Sequence, residues 1–361
     1  MTSDNRVKIA DIAKRANVST GTVDRVIHNR GEVAQKTRDK VLAIIKEMDF
    51  EPDILASTLA SKKTYRFASL IPAATNDSLF WHQPVIGFEK ALKQVKHFGV
   101  AHQAFSFNYF DKESFKAAWS ELLESEPDGI IVAPSFADVS ADFIAQTEER
   151  GIPVVFINMN VFNLPKLSFV GQDPLRSGMV AAHLLDFGLK QKGRILIVNI
   201  MSEKGGNIHL MSREEGFRNY FHGNGFSGKE LFTLNIYGND PTQIDQMLSE
   251  VLSPEGAEEK VAGIFVTNSR VFHVADYLKK TGEKHIRLVG YDLLEVNVDH
   301  LMNHHIDFLI SQNPIGQGFR SFMALFDSMV LKKNIQKYQY LPIDIITREN
   351  IDYYINNLTN E

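Results

Sequence analysis

The 361-residue chain is 44% hydrophobic and 23% charged, contains no cysteine and carries a formal net charge of −5. At roughly 150 residues per domain this length implies two or three folded units. The missing cysteines exclude disulfides, thiolate metal sites and thiol nucleophiles together. The opening residues lack the apolar core of a secretory signal, and no window reaches the roughly 18 apolar residues of a membrane span. A cytoplasmic protein with no membrane partner is therefore expected. No low-complexity tract or internal repeat stands out. Charge is unevenly spread: residues 1–63 hold 12 Lys and Arg against 9 Asp and Glu, net +3, leaving net −8 for the remainder. A basic head on an acidic body suits a chain whose head alone meets phosphates.

Across residues 8–16, Ile9, Ile12, Ala13 and Ala16 recur at i, i+3, i+4 and i+7, which predicts a helix with one buried face. Asn17-Val18 makes a tight turn and Ser19 caps a second helix. There Val23, Val26 and Ile27 repeat the spacing and leave Thr20, Gly21, Asp24 and Arg25 outward. After the Asn29-Arg30-Gly31 turn a third helix is predicted, with Val41, Leu42, Ile45 and Met48 on its buried face. The first two helices read as a helix-turn-helix. Its three-helix core lies near the lower size limit for independent folding.

The segments Ile9-Ala-Asp-Ile-Ala13, Val18-Ser19, Thr22-Val23, Arg25-Val26 and Lys36-Thr-Arg-Asp-Lys-Val41 resemble the headpiece of LacI/GalR-type bacterial repressors. That resemblance implies a second helix in the DNA major groove, with Thr20, Gly21 and Arg25 at base-reading positions and Ser19 and Thr37 at phosphates. The chemistry fits, since Arg bonds guanine in a bidentate fashion while hydroxyls and helix N-terminal amides suit phosphate oxygens. Three positions depart from the pattern: Gly21 offers no side chain, Asp24 brings a carboxylate toward phosphates, and Ala34 replaces a hydroxyl cap. Residues 53–61, after Pro52, match the family's hinge helix, with Leu59 at the position that wedges into the minor groove. So short a helix is marginal alone and is expected to form only on DNA.

Further on, apolar runs alternate with helical stretches: Arg66-Phe-Ala-Ser-Leu-Ile71, Gly129-Ile-Ile-Val-Ala133, Pro153-Val-Val-Phe-Ile157, Arg194-Ile-Leu-Ile-Val198, Val261-Ala-Gly-Ile-Phe-Val266 and Ile286-Arg-Leu-Val-Gly290. Continuous apolar strands between helices mark parallel sheets covered on both faces, a doubly wound α/β fold. With Gly87-Phe-Glu, Asp173, Gly178, Arg213-Glu-Glu-Gly-Phe217, Thr267-Asn268 and Val289-Gly-Tyr-Asp292, the body is similar to the two-lobed periplasmic-binding-protein-like core of the same family. The division expected is a helix-turn-helix headpiece over residues 1–51, a hinge helix and linker over 52–63, and a ligand-binding core over 64–361. Crossovers near Asn160, Gln312 and Tyr340 place about 64–160 and 312–340 in one lobe, and 161–311 and 341–361 in the other.

The family's cleft positions fall on Phe80, Trp81, Asn158, Arg213, Asn268, Asp292 and Gln312. The aromatics would stack on the apolar face of a sugar, the amides and carboxylate would bracket hydroxyls, and Arg213 offers a planar fork. A purely structural alternative stands beside each: Asn and Asp after strands often only make turns, Phe80 fits the core, and Arg213 fits a lobe-bracing ion pair. Asn158-Met159 stands where many sugar-responsive members have Asp-Arg, and Met211 takes an upstream arginine position. A less densely hydrogen-bonded ligand, or one other than a simple hexose or pentose, follows.

Other motifs fail on their chemistry. Gly223-Asn-Gly-Phe-Ser-Gly-Lys229 has phosphate-loop spacing, but Glu230 replaces the metal-binding hydroxyl and the helix-loop-strand order is reversed. Gly205-Gly206 lacks the spaced third glycine of a dinucleotide loop. His300 and His304, four apart, would share a helix face, yet no carboxylate or Cys completes a metal set. No cofactor, metal or catalytic constellation is expected, and the reading is non-enzymatic. The expected protein is a homodimeric transcriptional regulator, a repressor of carbohydrate-utilisation genes. It reads a pseudo-palindromic operator in double-stranded DNA under control of a small sugar-like effector. The last residues are too short for a sustained heptad coil, which argues against tail-mediated tetramers. A solute-binding protein delivering a sugar to a transporter is the alternative, because it uses the same two lobes.

Overall fold

The computed structural model describes residues 7–27, 31, 33–50, 63–75, 79–161, 163–189, 193–201, 208–223, 230–252 and 260–360. They fall into two compact units, Met1–Lys62 and Lys63–Glu361.

The first unit holds α1 (Ile9–Ala16), α2 (Thr20–Ile27) and α3 (Gln35–Glu47). Ile12, Ala13, Ala16, Val23, Val26, Val41 and Ile44 form its core. Asn17, in the left-handed region at φ 54, ends α1. The Ser19 hydroxyl then accepts from the Thr22 amide at 3.1 Å, satisfying an otherwise orphaned donor of α2. The buried stripe of α3 differs from the sequence expectation at one position. Leu42 is 47% exposed and Ile44 takes its place inside, because Val41, Ile44, Ile45 and Met48 share a face while Leu42 lies one residue, about 100°, off it.

The second unit contains two six-stranded sheets. The first combines β1 (Tyr65–Pro72), β2 (Val100–Phe107), β3 (Gly129–Val132), β4 (Val154–Ile157), β5 (Ser168–Gly171) and β11 (Tyr338–Tyr340) in the order β11-β5-β4-β3-β1-β2, with all pairings parallel. Helices α4 (His82–Val95), α5 (Lys112–Glu124) and α6 (Ala137–Glu149) belong to this lobe. The second sheet combines β6 (Arg194–Met201), β7 (Leu231–Tyr237), β8 (Val261–Val266), β9 (Arg287–Tyr291), β10 (Phe308–Ser311) and β12 (Asp344–Ile346) in the order β12-β10-β9-β8-β6-β7. Among the described strands of this sheet, only β12 runs antiparallel, against β10. Its helices are α7 (Pro174–Gly188), α8 (Ile208–Gly223), α9 (Pro241–Leu252), α10 (Val271–Thr281) and α11 (Glu295–Met302), while α12 (Pro314–Met329) returns to the first lobe and α13 (Ile351–Asn360) to the second. Each sheet has an apolar cluster on both faces, the condition for strands that read as unbroken hydrophobic runs.

Among the described residues the chain crosses between lobes three times, around residues 172–173, 312–313 and 341–343. The first crossing lies beyond the expected position near Asn160, because residues 168–171 form a strand paired with β4 in the first sheet. Gln172 ties the crossings together: its Nε2 donates to the Ser311 carbonyl at 3.1 Å and the Pro342 carbonyl at 2.9 Å.

A short repeat emerges that the linear sequence hides. Gln172-Asp173-Pro174 and Gln312-Asn313-Pro314 both end a strand and start a helix, and Asp173 and Asn313 cap α7 and α12 through their side chains. Four residues past each proline stand Gly178 and Gly318, each at a backbone-to-backbone helix crossing. A Cβ on Gly318 would lie 2.1 Å from the Pro84 carbonyl and one on Gly87 2.2 Å from the Ile315 carbonyl. The second lobe repeats this, with Gly178 against the Arg213 carbonyl and Gly216 against the Leu175 carbonyl, each at 1.9 Å.

Gly178→Ala is therefore expected to lower unfolding free energy by about 1–3 kcal/mol through overpacking. Gly188→Ala, whose Cβ meets only Arg287 Cγ at 4.0 Å, should stay within about 0.5 kcal/mol of the parent. Urea denaturation of the two variants checks the contrast.

Candidate functional site

In open parallel sheets the carboxyl ends of strands leave backbone groups and loops free to meet a ligand. Here those ends face one another across a cleft. Its cavity is lined by Phe80, Trp81, Tyr109, Asn158, Met159, His209, Arg213, Asn268, Ser269, Arg270, Asp292 and Gln312. All seven cleft residues read from the sequence lie in this wall. Tyr109, Met159, His209, Ser269 and Arg270 join them.

Each lobe contributes a different chemistry. The first supplies a 3-10 turn, Leu79–Trp81, that sets Phe80 and Trp81 edge to face with ring centres 5.1 Å apart, and Tyr109 beyond the end of β2. The second supplies Arg213 from α8, Asp292 after β9 and Arg270 at the start of α10. Asn158 and Asp292 occupy equivalent places after β4 and β9, with φ 65 and φ 68. Asn and Asp tolerate this left-handed turn better than most residues.

A polar network crosses the cleft through the Gln312 carboxamide. Its Oε1 accepts from Arg213 Nη2 at 2.5 Å and from Asn158 Nδ2 at 3.2 Å, and its Nε2 donates to Asp292 Oδ2 at 2.8 Å. Arg213 also donates through Nη1 to the Thr267 carbonyl at 2.7 Å and lies over the Tyr291 ring at 3.9 Å. It is 3% exposed, so its charge sits in a desolvated setting where carbonyls, an aromatic face and the nearby Asp292 offset the cost of burial. Asn268 differs from the others in being committed within its own lobe: Nδ2 donates to the Ile200 carbonyl at 2.7 Å and Oδ1 accepts from the Arg270 amide. Its side chain shapes the β8–α10 turn.

Burial dominates the titration of the site. It pushes the Asp292 carboxyl up to about 6, against the pull of Arg213 and the Gln312 hydrogen bond. It also pushes His209 down to about 3, reinforced by the positive charges of Arg213 and Arg270. His209 is thus a neutral imidazole at neutral pH. Asp292 Oδ1, Arg213 Nε and His209 Nδ1 are buried without a hydrogen-bond partner.

Among the DNA-reading candidates, Ser19, Thr20, Gly21 and Arg25 are exposed and Thr37 is half-buried. Leu59 and the hinge segment lie outside the described residues, as do Gly205-Gly206 and residues 224–229 of the phosphate-loop look-alike. The histidine group differs from expectation, because α11 stops at Met302 and His304 follows it at φ 61. His300 instead meets His305, Nδ1 to Nδ1, at 3.2 Å and Asp276 at 3.2 Å. Among the described residues no group of three or more His, Cys, Asp or Glu is placed to hold a metal, and no helix is long and apolar enough to cross a membrane.

The raised Asp292 value means that the folded chain holds this proton more tightly than the unfolded chain, whose carboxyl titrates near 3.8. Its contribution to stability is full below pH ~4 and lost as pH rises through ~6. Asp292→Asn keeps an acceptor for Gln312 and removes the ionisation. Its stability relative to the parent should rise from about 0.5 kcal/mol at pH 4 to about 3 kcal/mol at pH 7. Paired denaturation curves across that range test this, since the opposite contributions of buried His102 and His209 cancel in the difference.

Residues 8–53 match the family description "Bacterial regulatory proteins, lacI family" and residues 67–333 match "Periplasmic binding protein domain". The HTH-type transcriptional regulator DegA of Bacillus subtilis is 33% identical over 187 residues, 51% of this chain and 53% of DegA, so that match spans about half of each protein. The sucrose operon repressor of Streptococcus mutans is 26% identical over 353 residues, 95% of this chain and 99% of that one. A crystal structure from Bacteroides fragilis that carries the LacI transcriptional regulator name superposes with a TM-score of 0.74 at 31% identity, covering 81% of this chain and all of that one. With its three-helix head and its two-lobed body each accounted for, the chain belongs to the LacI family of bacterial regulatory proteins.

Proposed function

We propose that this protein is a cytoplasmic, non-enzymatic transcriptional repressor that binds a pseudo-palindromic operator as a homodimer and changes its operator affinity when a small carbohydrate enters the cleft. The observation that carries this reading is the join of an exposed helix-turn-helix surface to a body whose cleft combines an aromatic wall with buried polar groups. Aromatic faces take the apolar side of a sugar ring, and carboxylate, amide and guanidinium groups take its hydroxyl edge. The name of the sucrose operon repressor ties that relative to a sugar. One headpiece reads only a few base pairs, so two headpieces about one helical turn apart are needed for specificity. The headpiece also separates this reading from transport by a solute-binding protein, which has no use for it.

Regulation follows from linkage. A ligand shifts the lobe equilibrium only by its difference in affinity between the lobe arrangements, and operator affinity shifts in proportion. The cavity measures about 40 Å³, against roughly 300–1,000 Å³ for a typical small-molecule site. A ring-sized ligand therefore enters as the lobes part and Gln312 exchanges its partners.

Two outcomes test the reading. Residues 63–361 expressed alone should stay folded and bind effector, with gel-shift activity lost on DNA selected by the full chain. Loss of effector binding in that fragment would break the modular division. Trp81→Ala should weaken effector binding about tenfold, the loss of roughly 1.4 kcal/mol of aromatic contact, and leave effector-free operator affinity unchanged. Calorimetry and gel shift on one preparation measure both; an unchanged effector affinity removes Trp81 from the site.

A further inference from the structure

Beside the main cavity lies a second, smaller compartment of about 10 Å³, lined by Asn158, Asn160, Phe169, Pro174, Ile208, His209, Ser212 and Tyr340. Asn158 and His209 belong to both walls, so the compartments abut at these two side chains. Much of the smaller wall is apolar. Phe169 and Tyr340 stand edge to face at 5.9 Å, and Pro174 and Ile208 close the side toward α7 and α8.

Set into that wall is the Asn160 carboxamide, with Nδ2 and Oδ1 both buried and neither hydrogen bonded. His209 Nδ1 is in the same condition. Buried amides are nearly always paired, because an unpaired donor or acceptor keeps its desolvation cost in full. Packing against Phe169, Pro174 and Tyr340 alone would not call for an amide at position 160. Its planar group offers a donor and an acceptor, either of which can bond a single hydroxyl. A volume near one probe sphere admits a single small polar group. The imidazole is held neutral beside Arg213 and Arg270, so the compartment presents polar atoms without a net charge of its own.

We infer that this compartment is a subsite for one hydroxyl-bearing exocyclic arm of the effector, with Asn160 as its specificity-determining residue and His209 Nδ1 as the second polar contact. The inference rests on the carbohydrate reading given under Proposed function. It narrows the ligand class to ring sugars that carry a hydroxymethyl or equivalent arm. The ring lies in the main cavity against Phe80 and Trp81, and the arm passes between Asn158 and His209. Arg213 and Asp292 meet the ring hydroxyls, so Asn160 acts on the arm alone.

The test uses the full chain and two series of probes: D-glucose, 6-deoxy-D-glucose and D-xylose, and D-galactose, D-fucose and L-arabinose. Within each series the ring is constant while the arm loses first its hydroxyl and then its carbon. Thermal shift followed by calorimetry should find one hexose bound at least about tenfold more tightly than its 6-deoxy and armless partners, because a site built to bond a hydroxyl rejects analogues that lack it. In Asn160→Leu, close in volume, that ratio should fall below about threefold. A purely structural role for Asn160 would lower all affinities together and leave the ratio intact, which overturns the assignment. Equal affinity for a hexose and its 6-deoxy partner in the parent protein overturns the subsite without any variant and leaves the carbohydrate reading standing. If no member of either series binds, the subsite for a hydroxymethyl-bearing monosaccharide ring is overturned, while the broader carbohydrate reading still stands on the truncation and Trp81 tests.

Discussion

The Gln312 carboxamide is the contact on which the closed body depends. It stands at a crossing between lobes, accepts from Arg213 on one side and Asn158 on the other, and donates to Asp292. Gln317 reinforces it from α12, donating Nε2 to the Gln312 carbonyl at 2.9 Å and accepting from Asn158 Nδ2 at 3.2 Å. A neutral amide suits this place because it donates and accepts at once without adding a charge to a desolvated site. The bond from Arg213 is charge-assisted and the one from Asn158 is neutral and longer, so the clasp is anchored more firmly in the second lobe.

The local repeat gives this asymmetry a frame. Both lobes use the same joint of Gln, a capping Asn or Asp and Pro at the start of α7 or α12, and the same reciprocal glycine crossing behind it. Backbone contact at 1.9–2.2 Å from a built Cβ leaves no room for a side chain, so each helix pair is fixed as a rigid block. Equivalent positions then diverge in chemistry. Pro84 in one lobe corresponds to Arg213 in the other, and Asn158 corresponds to Asp292. One lobe presents rings while the other presents charge, a division that suits the amphipathic ring ligand proposed above.

The architecture was legible where burial is complete on both faces. The six unbroken apolar runs all became strands, at β1, β3, β4, β6, β8 and β9. The strands without such runs escaped notice for physical reasons. β2 is an edge strand whose apolar residues are interrupted by polar His102, Gln103 and Ser106, and without it Tyr109 beyond its end had no place. β5 has only Phe169-Val170 as an apolar run, between Ser168 and Gly171, so it went unread and the first crossing lies at Gln172 and not near Asn160. His209 and Arg270 belong to helix starts, where a side chain's direction depends on the turn before it and not on periodicity. Leu42 and Ile44 traded places because a stripe on a short helix is defined by few residues, and a shift of one residue turns it by about 100°. The Gln-Asx-Pro repeat is three residues long in each copy and gains meaning only once both copies are seen to sit at the same joint.

On the function proposed above, the clasp also sets what kind of effector can act as a switch. In the closed arrangement Arg213, Asn158 and Asp292 already have partners through Gln312, so a ligand that merely replaces those bonds gains little over the unliganded state. Effective coupling requires interactions that the closed, ligand-free body leaves unmade. Asp292 Oδ1, Arg213 Nε, His209 Nδ1 and both amide atoms of Asn160 are of that kind. A ligand satisfying them removes a desolvation cost that the body otherwise retains, and that difference is what becomes available to bias the lobes. To invert a 1:99 equilibrium the bias must reach about 5.5 kcal/mol, more than one neutral hydrogen bond supplies. Several of these unsatisfied groups must be engaged together, which favours a compact ligand with oxygens on more than one edge over a small fragment that fills only part of the cleft.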